Sequence, residues 1–258
     1  MIRISNLNMY AGERPLFRDL SWTVLKGDRA GLVGSNGAGK TTLLRIITGE
    51  LHGDSGTITV PGGLKVGYLP QDLAELPDMA VTALLRERAG VTDAEAELEN
   101  CAARLSAMSP LSVDYIRELA RHDFLIKRLE GLEGYSFDAM AGKVLSGLGF
   151  QPGDGERNTG SFSGGWKMRI HLAGLLLKNN DVLLLDEPTN HLDTESMEWL
   201  EGWLSGYKGT IIAVSHDRRF LDRICTSVAE LSLGKISVYN GNFSAFLDER
   251  ERRLEELR

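Results

Sequence analysis

The run Gly34-Ser35-Asn36-Gly37-Ala38-Gly39-Lys40-Thr41 constrains this chain more than any other, because it spells G-x-x-x-x-G-K-[ST]. A short apolar run, Ala30 to Val33, precedes it, and a good helix opening, Thr42-Leu43-Leu44-Arg45-Ile46-Ile47, follows. A strand, a glycine-rich loop and a helix in that order demand an α/β fold and make a phosphate-binding loop. The three glycines let consecutive backbone N–H groups turn inward, and the helix N-terminus adds partial positive charge. Lys40 is placed to reach the β- and γ-phosphates of a nucleoside triphosphate, and the Thr41 hydroxyl to ligate Mg²⁺. Gly34 to Thr42 are therefore the candidate phosphate-binding residues.

A second run, Asp181-Val182-Leu183-Leu184-Leu185-Asp186-Glu187, is an apolar strand ending in two carboxylates. Such a strand is buried on both faces, as in a parallel sheet, and ligands of open α/β sheets sit at the carboxyl ends of the strands. Adjacent strand residues point to opposite sides, so the two acids divide the work. Asp186 is the candidate for holding Mg²⁺, and Glu187 for polarising the attacking water as general base.

Between these runs lies Ser161-Phe162-Ser163-Gly164-Gly165-Trp166-Lys167-Met168-Arg169-Ile170. A serine at a helix start followed by two bare glycines is a second anion cradle. Here the chain resembles the ATP-binding cassette (ABC) family, whose signature is L-S-G-G before a helix, with Phe162 replacing the usual leucine. The resemblance implies that Ser163, Gly164 and Gly165 cap the γ-phosphate of ATP bound by a second, facing cassette. It further implies that Gln71, in Tyr68-Leu69-Pro70-Gln71-Asp72, reads Mg²⁺ and the attacking water, a role suited to an amide that both donates and accepts. Asn190-His191-Leu192-Asp193 matches the D-loop, and His216, directly after Ile211-Ile212-Ala213-Val214-Ser215, matches the switch histidine. Tyr10, or else Phe17, is expected to stack on adenine.

Glu187-Pro188-Thr189-Asn190-His191-Leu192-Asp193, Trp166 in the signature, Ser215-His216-Asp217-Arg218-Arg219-Phe220-Leu221 and Tyr239-Asn240-Gly241-Asn242-Phe243-Ser244 narrow the resemblance to the ABC-F subfamily. These are soluble proteins with two cassettes in tandem joined by a helical linker, many of them acting on the ribosome. The fold implied is a P-loop NTPase cassette with an N-terminal antiparallel β subdomain and a helical insertion.

Composition agrees with a soluble, cytoplasmic ATPase. Cys101 and Cys225 make neither a disulfide framework nor a metal spacing, and a reducing compartment is the default. Met1 to Leu25 holds no continuous apolar segment of signal-peptide type, and Leu172 to Leu177 is far short of the ~20 residues that span a bilayer. No direct membrane insertion is expected. The net charge of −7 weakens the case for a broad basic surface against RNA.

The chain reads as a cassette over residues 1–240 with a helical subdomain at 74–150 within it, and a linker helix beginning over 241–258. Gly53-Asp54-Ser55-Gly56 and Pro61-Gly62-Gly63 mark hairpin-like turns. In the helical stretch, Thr92-Asp93-Ala94-Glu95 reads as a capping box followed by Leu98, Cys101, Leu105 and Met108, and Ser109-Pro110 as the next cap. Tyr115, Leu119, His122, Ile126 and Leu129 form the facing stripe. The charged stretch Ala245 to Arg258, with Leu247, Leu254 and Leu257, reads as a truncated start of the interdomain linker. No repeat of cassette length is visible, so one cassette is present.

Three readings follow. The first is the ATP-hydrolysing cassette of an ABC-F protein working on the ribosome, with the ribosome and tRNA as partners. The second is the ATP-binding subunit of a membrane transporter, and the third a nucleotide-gated binding module with feeble turnover. Each needs a second cassette, in the same longer chain or as a head-to-tail homodimer with ATP, so weak turnover is expected of one cassette alone.

Overall fold

The apolar run that ends in Asp186 becomes β6 (Val182–Asp186), a strand buried at every residue, and β7 (Thr210–Val214) beside it is likewise buried throughout. Strands without a polar face need cover on both sides, which a parallel sheet provides. The computed structural model describes residues 1–71, 75–131 and 136–256. Asp72, Leu257 and the side chain of Leu254 lie outside what it describes.

The chain divides into two compact units, one of residues 1–73 and 180–258 and the other of residues 74–179. In the first unit, β1 (Ile2–Ala11), β2 (Arg14–Val24) and β4 (Ser55–Thr59) form an antiparallel sheet in the order β2-β1-β4. Six strands make the second sheet, in the order β5-β6-β7-β3-β8-β9. β3 (Arg29–Val33), β5 (Val66–Leu69), β6, β7 and β8 (Ser227–Ser232) run parallel, and β9 (Lys235–Asn240) closes the edge antiparallel to β8. One core joins the two sheets. Ile4, Phe17 and Trp22 of the small sheet pack with Leu43, Leu44 and Ile47 of α1 (Lys40–Ile47) and with Leu184, Ile212 and Ala229 of the large one.

The turns read as hairpin-like serve other ends. The chain around Gly53 to Gly56 leads into β4, which pairs with β1 and not with a sequence neighbour. Pro61-Gly62-Gly63 carries it from the small sheet to β5 of the large one.

α7 (Thr194–Gly206) and α8 (Arg218–Ile224) follow β6 and β7, and each starts on an aspartate cap. Asp193 Oδ1 accepts from Ser196 N at 2.9 Å, and Asp217 Oδ1 from Phe220 N at 3.0 Å. The expected terminal helix is α9 (Phe243–Glu256), and its first turns are tied down. Phe246 meets Tyr239 edge-on at 5.0 Å between ring centroids, the Arg253 guanidinium lies 4.5 Å over the Tyr239 ring, and Arg250 pairs with Glu230 at 2.8 Å.

The helical unit holds α2 (Val81–Ala89), α3 (Val91–Ala107), α4 (Val113–Gly131), α5 (Phe137–Gly147) and α6 (Gly164–Leu177). It runs on to Asn179, past the boundary at 150 expected from sequence, because α6 packs against α2 and α5. α3 and α4 are antiparallel partners, as the stripes imply, but their starts differ. α3 begins at Val91 behind Gly90 at φ 77, so Thr92 lies inside the helix and no capping box forms. α4 begins after Ser112, whose hydroxyl accepts from Tyr115 N at 3.1 Å, in place of the expected Ser109-Pro110 cap. Leu119 is 42% exposed, and its place in the seam is taken by Glu118, which accepts from Arg104 Nε at 2.7 Å. Cys101 and Cys225 are buried free thiols, and burial pushes the Cys225 thiol up to about 12.

Candidate nucleotide site

The carboxyl ends of β3, β5, β6 and β7 surround a cleft of about 490 Å³. The sequence assigned to phosphate, metal and water chemistry supplies most of its wall: Asn36, Gly37, Gly39, Lys40, Thr41, Thr42, Gln71, Asp186, Glu187 and His216. Leu16, Asn190 and Val214 complete it. Leu16 comes from β2 and carries no motif, and Val214 carries none either. Asn190 is legible as part of a D-loop pattern but not as a wall of this cleft.

Gly39 shows why the phosphate loop needs glycine. Its φ of +103° is one that L side chains rarely adopt, and a Cβ there would lie 2.8 Å from Cε1 of Phe17, which is wholly buried. Beneath Gly34, a Cβ would run into the Leu231 carbonyl oxygen of β8. The loop is thus pressed against both neighbours with bare backbone facing out. Lys40 Nζ folds over it, donating to Gly34 O at 2.9 Å and Ser35 O at 3.2 Å. We expect Gly39→Ala to lower stability by about 1–3 kcal/mol through strain and overpacking, and to weaken nucleotide binding with it. A denaturant midpoint within error of the parent would refute this account of the loop.

Phe17 is therefore a support beneath the loop and is not available to stack on a base. Tyr10 is 55% exposed near the end of the β1–β2 hairpin, its N–H donating to Asp54 Oδ2 at 2.8 Å.

Asp186 is 1% exposed at the end of β6, and Glu187 is 5% exposed just beyond it. Glu187 takes φ 53, a left-handed conformation that costs a non-glycine residue about 1–2 kcal/mol. Its N–H donates to Val214 O at 2.9 Å. Its carboxylate is turned to the switch segment: Oε2 accepts from His216 N at 3.1 Å, and Oε1 lies 3.5 Å from His216 Nε2. The imidazole, 67% exposed, thus stands against the carboxylate expected to act as base.

Thr41, Gln71 and Asp186 bring a hydroxyl, an amide oxygen and a carboxylate to one cleft. That is a hard oxygen set, and among the described residues no group of three or more His, Cys, Asp or Glu gathers to hold a metal. A site with one carboxylate and few other protein donors fits Mg²⁺, which keeps waters and takes phosphate oxygens, and does not fit zinc.

In the helical unit, Ser163 opens α6 with no side-chain capping bond, leaving its exposed hydroxyl and the Gly164 and Gly165 backbone at the helix start. Trp166 behind them packs edge-on to Phe150 at 4.9 Å, and the Arg169 guanidinium lies 4.6 Å over its ring. The tryptophan fixes the direction of the first turn of α6 from behind.

Comparison with known proteins accords with this arrangement. The ABC transporter family matches residues 17–190. The chain is 38% identical over 95% of its length to ABC transporter F family member 5 of Arabidopsis thaliana, and covers 36% of that protein. It is 36% identical over 98% of its length to the probable ATP-binding protein YheS of Escherichia coli K12, covering 38% of it. To the energy-dependent translational throttle protein EttA of Haemophilus influenzae it is 36% identical over 95% of its length, covering 43%. It therefore spans about two fifths of these relatives. A solved structure titled as the ATP binding subunit of an ABC transporter superposes with a TM-score of 0.71 over 99% of this chain and 93% of its own, at 18% identity, a likeness of fold. The chain belongs to the ABC transporter family, as an ATP-binding cassette similar to the F-type members.

Proposed function

We propose that this cassette binds Mg-ATP and hydrolyses it to ADP and phosphate, within an F-type protein that works in the cytoplasm on the ribosome. One observation carries the hydrolytic part: a single cleft gathers the phosphate loop, the oxygen donors and the buried Glu187. Lys40 and the loop N–H groups hold the triphosphate, and Thr41, Gln71 and Asp186 are the residues to hold Mg²⁺. When bound, that ion supplies neutralising charge on the phosphate oxygens. Glu187 accepts a proton from water as the water attacks the γ-phosphorus. The bond to the β–γ bridging oxygen breaks, and ADP leaves. His216 steadies the carboxylate.

The ribosomal part is supported by the likeness to EttA, whose name makes it a translational throttle. No described helix is long and apolar enough to cross a membrane. Sedimentation of the full-length protein with ribosomes tests it. Co-sedimentation is expected with a non-hydrolysable ATP analogue and not with ADP, and failure in both states would sink the translational role.

Catalysis is proposed to need a second cassette, with Ser163 of one capping the γ-phosphate held by Lys40 of the other. Two charge-assisted contacts of that kind contribute about 1.5–3 kcal/mol each, enough to raise a weak self-association by one or more powers of ten. With hydrolysis blocked by Glu187→Gln, the chain is expected to dimerise in Mg-ATP and to stay monomeric in ADP. Adding Ser163→Arg should return it to monomer. Light scattering reads these states, and a dimer that survives Ser163→Arg would place the interface elsewhere.

A further inference from the structure

β6 and β7 run in parallel register, with Asp186 opposite Val214, and the last ladder bond between them is Glu187 N to Val214 O at 2.9 Å. Past that bond both chains leave the sheet, and side chains must hold them together. Two cross-links do so among the described bonds. One is the Glu187 carboxylate itself, accepting from His216 N at 3.1 Å. The other is a hydroxyl pair: Thr189 Oγ1 and Ser215 Oγ lie 3.1 Å apart, and Ser215 Oγ also accepts from Asp217 N at 3.0 Å. Ser215 is buried, 8% exposed.

Glu187 sits at φ 53, a backbone state that persists only where the surroundings enforce it. Backbone closes the turn itself, Asn190 N donating to Glu187 O at 3.1 Å, so what side chains add is its attachment to the switch segment. A carboxylate that must take a proton from water is a poor sole anchor for that. We infer that Thr189 and Ser215 are positioning residues: their hydroxyl pair clasps the Glu187 turn to the switch segment, and so aims the carboxylate that the proposed reaction uses. The pair touches neither nucleotide nor water in this role. It acts through Glu187 and His216. The inference rests on the reading of Glu187 as the base, but the clasp itself is a property of the folded chain.

Thr189→Val removes the hydroxyl and keeps the shape, and Thr189→Ser keeps the hydroxyl. Amide exchange at His216, followed by NMR on the whole chain, reads the clasp without any turnover. Losing one hydrogen bond of ordinary net strength should speed that exchange by about tenfold in Thr189→Val, with Thr189→Ser restoring the parent rate. ATP affinity and KM should hold while kcat falls by a similar factor. The effects of Thr189→Val and Ser215→Ala should be less than additive, because both break the one hydroxyl contact and Ser215→Ala loses the bond from Asp217 N besides. Unchanged His216 exchange in Thr189→Val would overturn the inference whatever happens to turnover. Equal effects of valine and serine would overturn it as well, since the hydroxyl would not be the cause. A parent chain that binds ATP and pairs with a second cassette without hydrolysing it would count against the proposed reaction, while the exchange data would still decide the clasp.

Discussion

Glu187→Gln should leave ATP affinity within about twofold of the parent and lower the rate of phosphate release by about 10²–10⁴-fold, the usual contribution of a positioned general base. The geometry is what separates these two effects. The substitution is isosteric, and the glutamine keeps one oxygen that accepts from His216 N as Oε2 does now at 3.1 Å. The left-handed turn at 187 and its bond to Val214 O involve only backbone, so the turn should survive. What is lost is the basic lone pair, since an amide oxygen takes up a proton from water far less readily than a carboxylate. Titration calorimetry with ATP and single-turnover phosphate release read the two sides. Parental release by Glu187→Gln would remove the general-base role.

Much of this site is legible in the amino-acid sequence, and the reason is local. The phosphate loop is one continuous run whose strand, turn and helix are encoded by neighbours, from Ala30 to Ile47. Asp186 and Glu187 follow from the apolar strand they terminate. The features that escape such a reading depend on contacts between distant segments. Leu16 enters the cleft wall because β2 passes beside it, and Phe17 lies under Gly39 for the same reason. Nothing near residues 16 and 17 announces either. The pairing of β4 with β1 joins segments about fifty residues apart, and turn residues alone cannot report it.

Helix starts are hard to read for a different reason, competition between equally good local signals. Thr92 to Glu95 fits a capping box, but Gly90 adopts φ 77 and turns the chain between α2 and α3 first. Ser109 and Ser112 both suit a cap, and the hydroxyl of Ser112 is the one that bonds the first turn. The α3–α4 pairing itself is legible, because Leu98, Cys101 and Leu105 recur at helical spacing on one helix and Tyr115, His122, Ile126 and Leu129 on the other, while the detail of which residue sits in the seam is not. Glu118 displaces Leu119 through its bond to Arg104.

Lys40→Ala is expected to raise the dissociation constant for ATP by about 10²–10⁴. The ammonium makes charge-assisted bonds to the β- and γ-phosphates in the proposed complex, and two such bonds at about 1.5–3 kcal/mol each give that range. In the chain as it stands, Lys40 Nζ donates to the carbonyls of Gly34 and Ser35, at 2.9 and 3.2 Å. Those bonds are partly exposed, so their loss should cost little stability, no more than about 1 kcal/mol. Lys40→Ala should therefore unfold near the parental midpoint and still bind ATP poorly, whereas Gly39→Ala should lose stability and affinity together. The contrast separates a residue that supplies charge from one that supplies backbone shape. Adenosine, which has no phosphates, should bind the parent and Lys40→Ala equally weakly. Titration of both variants with ATP and with adenosine, beside denaturant unfolding, reads all of these differences. An ATP affinity within fivefold of the parent in Lys40→Ala would mean that the lysine ties the loop closed and does not hold the phosphates.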